Sequence, residues 1–140
     1  MIAKQISIFV ENRSGRLASV ISLLSENKIN IRALSLADTE SYGVLRLIVD
    51  QTEKAQEVLK ENKITTSLTD VLAVSINDTP GGLSGVLSIL SENGTEVEYA
   101  YAFISKKENE AAAILRVEDA KKAEEALIAG GFKGIDGISL

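Results

Sequence analysis

The 140-residue sequence contains no cysteine and no histidine. Without cysteine there is no disulfide, no thiolate nucleophile and no Cys-based metal site. Without histidine, the commonest general base, the commonest metal ligand and the usual titrating group near neutral pH are missing. Long apolar runs are missing too: nothing approaches the roughly 18 residues of a membrane-crossing helix. Met1-Ile2-Ala3-Lys4 leads directly into a strand-like run and lacks the character of a signal peptide. Cysteine usage leaves the compartment open, and cytoplasm is the expected location. A surplus of basic charge is also lacking. The formal net charge is −5 with a pI near 4.8, which argues against a nucleic-acid partner because the phosphate term requires a basic surface.

What is present is a repeat. A shift of 66 positions overlays Leu17 to Asn27 (LASVISLLSEN) on Leu83 to Asn93 (LSGVLSILSEN), with Gly15 on Gly81 in the same register. Further on, Val49-Asp50 and Ala55 to Leu59 match Val117-Glu118 and Ala123 to Leu127 at a shift of 68. A sustained self-match of this kind is the mark of duplicated structural units. The units are expected at residues 1–70 and 71–140. No Pro/Gly/Ser linker separates them, since Thr69-Asp70 passes almost directly into the next strand.

Each unit reads as βαββαβ. Lys4 to Val10 alternates, with Ile6, Ile8 and Val10 on one side, as a strand does. Leu17, Val20, Ile21, Leu23 and Leu24 recur at helical spacing. Asn30 to Ala37 and Gly43 to Asp50 are strands around a polar tip, Thr52 to Asn62 is a helix, and Ile64 to Thr69 is a fourth strand. In the second unit the strands fall at Val71 to Ile76, Glu96 to Ile104, Ala111 to Val117 and Lys133 to Ile138. Its helices fall at Leu83 to Asn93 and Asp119 to Ala129. The fold class is therefore α+β, two tandem ferredoxin-like units with strand order 4-1-3-2 and helices on one face. That order leaves the second strand at an edge in need of a partner. The sheets are expected to join edge to edge through the two second strands.

The turn between the first strand and first helix of the second unit reads Asn77-Asp78-Thr79-Pro80-Gly81-Gly82-Leu83. Its counterpart is Glu11-Asn12-Arg13-Ser14-Gly15-Arg16-Leu17. Asp78 or Thr79 suits a helix cap, and proline suits the first turn. The glycines permit close approach of a ligand or another backbone. The helix start offers amides to a carboxylate or phosphate. A capped helix with a tight turn accounts for the same residues without any ligand.

The βαββαβ order together with the Asp/Asn-x-Pro-Gly-x-Leu turn resembles the ACT domain family of small amino-acid-binding regulatory modules. The likeness runs over nearly the whole chain, twice. It is strongest at NDTPGGL and the following SEN. Ser14 stands where the family commonly has proline. Asn30-Ile31 also matches the family's pattern at the start of strand two, where the second unit has Glu96-Val97 instead. The resemblance implies a ligand site where the turn of one module meets the start of strand two of another. One site would combine Asn12, Arg13, Ser14, Gly15 and Arg16 with Glu96, Val97 and Glu98. The other would combine Asn77, Asp78, Thr79, Gly81, Gly82 and Leu83 with Asn30, Ile31 and Arg32. Amides or an arginine would take the carboxylate of a free amino acid, and an acidic side chain its ammonium. No catalytic residue, metal ligand or cofactor is implied. The expected partners are the amino acid and a metabolic enzyme or transporter regulated allosterically in trans.

Other functions fit less well. Serines are plentiful, but no histidine activates one, and no P-loop is present. Arg13 or Arg16 with Asn30 imitates an acylphosphatase-like phosphate site, but the surrounding turn does not resemble that family. An RNA-recognition sheet would need stacking aromatics on its central strands and a basic surface. A purely structural dimerisation module is the non-enzymatic alternative. Tyr99, Tyr101 and Phe103 share one side of a strand, a pattern read as packing or interface. A homodimer is expected through that strand or through a sheet face left open opposite the helices.

Overall fold

In a computed structural model, residues 1–11, 13–38 and 41–135 are described. Ten elements follow in order: β1 (Ile2–Glu11), α1 (Arg16–Glu26), β2 (Ile31–Asp38), β3 (Tyr42–Val49), α2 (Thr52–Glu61), β4 (Thr66–Asn77), α3 (Gly82–Glu92), β5 (Val97–Ile104), β6 (Glu110–Val117) and α4 (Ala120–Ala129). The chain divides into two compact units, Lys4–Thr69 and Asp70–Leu140, the second also taking in Met1–Ala3.

In the first unit the alternation along β1 sets its core. Ile6 lies opposite Leu47 and Ile8 opposite Leu45 in the antiparallel β1–β3 ladder. Residues opposite one another share a face, so all four point to the side covered by the helices. There they meet Val20 and Leu24 of α1 and Ala55, Val58 and Leu59 of α2. Ile6, Leu24, Leu45, Leu47 and Leu59 are wholly buried, each contributing about 1.5–3 kcal/mol by leaving water. The second unit repeats the plan, with Leu72 and Val74 of β4, Leu115 and Val117 of β6, Val86 and Leu90 of α3, and Ala123 and Leu127 of α4.

All four helices end in the same way. Ile29, Ile64, Thr95 and Phe132 each donate a backbone N–H to the carbonyl five residues earlier, on Leu24, Leu59, Leu90 and Leu127. The residue before each donor, Lys28, Lys63, Gly94 or Gly131, is left-handed. This is the Schellman closure, which satisfies carbonyls that have no partner inside the helix. Asn27, Asn62 and Asn93 add a side-chain amide to the carbonyl four residues back, each at 2.8 Å. The repeated SEN thus has a structural reason, since its asparagine stops the helix.

The six strands form one antiparallel sheet in the order β2-β3-β1-β4-β6-β5. The expected joining through the second strands is not formed within one chain: β2 and β5 are the two terminal strands. The reason is strand continuity. The fourth strand of the first repeat and the first strand of the second, separate in the sequence reading, are a single twelve-residue strand, β4. With no turn residue at Thr69-Asp70 to break it, pairing propagates along that strand and not along β2. Part of the fourth strand expected at Lys133 to Ile138 is seen where Gly134 bridges Val74 and Lys133 accepts from the Ser75 N–H. Residues 136–138 lie outside the described residues.

The face opposite the helices is not open along its length, as the sequence reading expected. Gln5 and Ile48 in the first unit, and Val71, Ala73, Ala112 and Ile114 in the second, are buried within the single chain. Phe9, at the end of β1, remains 68% exposed, against Tyr42 in an edge-to-face pair at 5.5 Å.

Candidate functional site

The two turns that enter α1 and α3 adopt one backbone geometry. Gly15 has φ 82° and ψ −7°, and Gly81 has φ 87° and ψ −5°. Only glycine adopts this left-handed conformation without appreciable strain. In the first turn Arg16 N–H donates to the Arg13 carbonyl at 3.2 Å. In the second, Gly82 N–H donates to the Thr79 carbonyl at 3.0 Å. The motif repeat is therefore a repeat of backbone shape, despite Ser14 replacing proline.

The cap is not where the side chains suggested. Gly15 and Gly81 are themselves the N-caps, and neither helix receives a side-chain cap from the described residues. Asp78 and Thr79 lie earlier in the turn. The Asp78 N–H is held at 2.9 Å by the Asn109 carbonyl from the β5–β6 connection, and Pro80 precedes the cap. Both helix starts also lack an acidic residue in the first turn. No carboxylate in the first turn of either helix therefore offsets the positive potential of the helix dipole. A Cβ added at Gly15 or Gly81 would meet nothing within 4 Å, so open space lies over both caps.

Above the second turn is a cavity of about 420 Å³, bordered by Asn77, Thr79, Gly81, Gly82, Phe132 and Lys133. Leu83, grouped with this site from the sequence, is exposed on α3 and does not line it. Phe132 and Lys133 escaped the sequence reading because they follow α4, some fifty residues away. The available signal was Gly130-Gly131, the helix stop that turns Phe132 back towards α3. Gly85 makes room for that ring, since a Cβ there would lie 3.1 Å from the Phe132 ring tip.

In the first turn Asn12 lies outside the described residues. Arg13 Nε is 3.4 Å from Glu11 Oε2, both side chains well exposed. Arg16 is half-buried, and its Nε has no hydrogen-bond partner among the described residues. Asn30 N–H donates to Asp50 Oδ1 at 2.9 Å, and Asp50 N–H returns a bond to the Asn30 carbonyl at 3.1 Å. This pins the start of β2 to the end of β3. Ile31 and Arg32 are half-buried, and Arg32 Nε likewise has no hydrogen-bond partner among the described residues. At the equivalent place on β5, Glu96 is exposed and Val97 half-buried. Glu98 makes a 3.0 Å ion pair with Arg116, whose guanidinium also donates to the carbonyls of Asp70 and Val117. Both strand starts carry a register irregularity, at Ile31/Ala33 and at Val97/Tyr99.

Among the described residues no group of three Asp or Glu side chains is arranged to hold a metal ion. No described helix is long and apolar enough to cross a membrane.

A family model described as an ACT domain pair matches residues 1–137. Among solved structures, protein BT0572 from Bacteroides thetaiotaomicron is 39% identical over 95% of this chain and 91% of its own, with a TM-score of 0.89. The ligand-free regulatory subunit of aspartate kinase from Thermus thermophilus has the same fold at 20% identity and a TM-score of 0.65, over 91% of this chain and 92% of its own. Among curated proteins, the small subunit of acetolactate synthase isozyme 3 from Escherichia coli is 38% identical over 71 residues, 50% of this chain. The aligned part is 43% of that subunit, so the likeness spans less than half the length of the curated relative. With the repeat, the paired glycine-capped turns and the full-length family match in agreement, the chain belongs to the ACT domain pair family.

Proposed function

We propose that this protein binds a free amino acid at the glycine-capped turns and passes that binding to a separate enzyme, without catalysing a reaction itself. The observation that carries this reading is the start of α3: a helix N-terminus with no side-chain cap and no acidic first-turn residue, opening on a cavity of about 420 Å³. Such an end is suited to a carboxylate. The names of the acetolactate synthase and aspartate kinase relatives, a small and a regulatory subunit, support a regulatory role.

In this reading residues 1–70 and 71–140 are the working modules. Arg13, Ser14, Gly15 and Arg16 form one carboxylate end, and Asn77, Asp78, Thr79, Gly81 and Gly82 the other. The ammonium is taken by an acidic group, and the strand-two half of each site comes from Asn30 to Arg32 or Glu96 to Glu98. Because β2 and β5 are terminal strands, that half is supplied by a second copy, so the working form is a homodimer in the cytoplasm. The regulated partner is the catalytic subunit of a metabolic enzyme.

The test is a thermal-shift screen of the twenty amino acids. A ligand held only by the native state stabilises by about 2.7 kcal/mol at a hundred times Kd, a rise of several degrees for a chain of this size. Gly81→Val should abolish the ligand-induced rise, because the new side chain projects into the open space over the cap. Its left-handed φ also lowers the unliganded melting point, so the two shifts are compared, not the absolute temperatures. If no amino acid at millimolar concentration moves the parent protein, the proposal fails.

A further inference from the structure

When the two repeats are matched residue by residue, one pair of positions differs together. Phe132 corresponds to Ile64 at the shift of 68, and Gly85 to Ser19 at the shift of 66. The first correspondence is structural as well. Ile64 and Phe132 each follow a left-handed residue, and each donates its N–H to the carbonyl five residues back, at 2.9 and 3.0 Å. The second repeat thus has a larger side chain after its last helix and none at the matching point of its first helix. A Cβ at Gly85 would lie 3.1 Å from the Phe132 ring tip. Gly130 leaves similar room, since a Cβ there would fall on the Ile89 side chain of α3. Two missing side chains let the ring and the end of α4 lie close against α3.

Closing the core does not require this ring. Ile64 does so at the same place in the first unit, where it is only 8% exposed. Phe132 stays half-buried: it packs against the second core and also borders the cavity beside Gly81 and Gly82. Among the described residues around that cavity none is acidic, and Lys133 is the single charged one. Its volume of about 420 Å³ falls within the range of small-molecule sites. Gly81, the cap, and Gly85, beside the ring tip, lie about 6 Å apart along the helix axis at 1.5 Å per residue.

We propose that Phe132 sets the side-chain selectivity of this cavity, and that the amino acid taken there carries an uncharged, apolar side chain that lies on the ring. This rests on the reading of the α3 start as the carboxylate end. From that end, a side chain of about three carbons or more reaches the ring, whereas those of glycine, alanine and serine fall short. An apolar side chain gains by leaving water against the ring. A lysine or arginine side chain would meet no acidic partner on this wall and would lose its hydration there.

The test is the ratio of affinities across a series of free amino acids: glycine, alanine, leucine, methionine, phenylalanine, aspartate and lysine. Each is titrated by calorimetry against the parent, against Phe132→Leu, and against the double variant Gly85→Ser with Phe132→Ile. The double variant gives the second unit the pair that the first already carries. In the parent, at least one of the three large apolar amino acids should bind about tenfold or more tighter than alanine. Both variants should reduce that ratio to roughly threefold or less while alanine binding stays within about threefold of the parent. A ring that only fills the core would lower the unliganded melting point and leave the ratio unmoved. If the double variant does not fold, Phe132→Leu, which keeps an apolar side chain in place, carries the readout. Tightest binding of aspartate, of lysine or of the small amino acids, or an unchanged ratio in the folded variants, would overturn the inference and leave amino-acid binding standing. A parent that binds no amino acid at all would remove the binding reading and this inference with it.

Discussion

Gly81 and Gly82 are adjacent, yet substitution by alanine should act on them through different physics. Gly81 needs its left-handed φ of 87°, but a Cβ there has free space. Gly81→Ala should therefore cost about 1–2 kcal/mol of backbone strain. Gly82 is the first residue of α3, and its φ is not left-handed. A Cβ on it would fall inside the contact radius of the Asn77 carbonyl oxygen and 3.2 Å from the carbonyl carbon. Backbone atoms cannot swing aside as a side chain can, so the turn must shift. Overpacking of this kind costs roughly 1–3 kcal/mol, and a backbone neighbour places it at the upper end. Helix propensity pulls the other way, because alanine is favoured over glycine in a helix by up to about 1 kcal/mol. If the carbonyl did not approach Gly82, the substitution would stabilise. The reasoning thus predicts a sign: Gly82→Ala lowers stability by about 2 kcal/mol, a fall in Tm of about 4–8 °C for a chain of this length. Calorimetry or urea denaturation of the two single variants measures it. A Gly82→Ala protein as stable as the parent, or more stable, would refute the close approach of Asn77 to α3.

Asp119 gives α4 the only side-chain N-cap among the four described helices, accepting from the Lys122 N–H at 3.1 Å. Asp119→Ala should cost about 1 kcal/mol in denaturant unfolding, whereas Asp78→Ala should cost nothing through capping. Leu115→Ala empties a wholly buried position in the second core and should cost about 2–5 kcal/mol; a loss below 1 kcal/mol would mean that this core is not packed as described. Glu98→Gln breaks the 3.0 Å pair with Arg116, but Glu98 is half exposed and the guanidinium keeps two carbonyl partners. The change in urea midpoint should correspond to no more than about 1 kcal/mol.

The sequence alone determined what depends on local period and turn chemistry. Alternation in Ile6, Ile8 and Val10, helical spacing in Leu17 to Leu24, and the repetition of both were enough for two βαββαβ units. The glycine in each first turn marks the two candidate sites. The asparagine of SEN was part of the repeat, but its role in ending the helix became visible only with the carbonyl four residues back in place. Tertiary structure alone decided how the strands were ordered. Lys4 to Val10, Ile64 to Thr69 and Val71 to Ile76 read as strands in isolation. Nothing local states that the last two of these stretches join into one strand and leave β2 and β5 as the ends, since pairing partners are chosen by non-local hydrogen bonds. The cap was decided in the same way. Asp78 is an excellent cap by type, but the turn, anchored by the Asp78 N–H on the Asn109 carbonyl more than thirty residues away, places the left-handed Gly81 at the capping position, three residues further on. Phe132 and Lys133 joined the cavity for the same reason: a residue's neighbours across the fold are set by the path of the whole chain, and periodicity carries no record of that path.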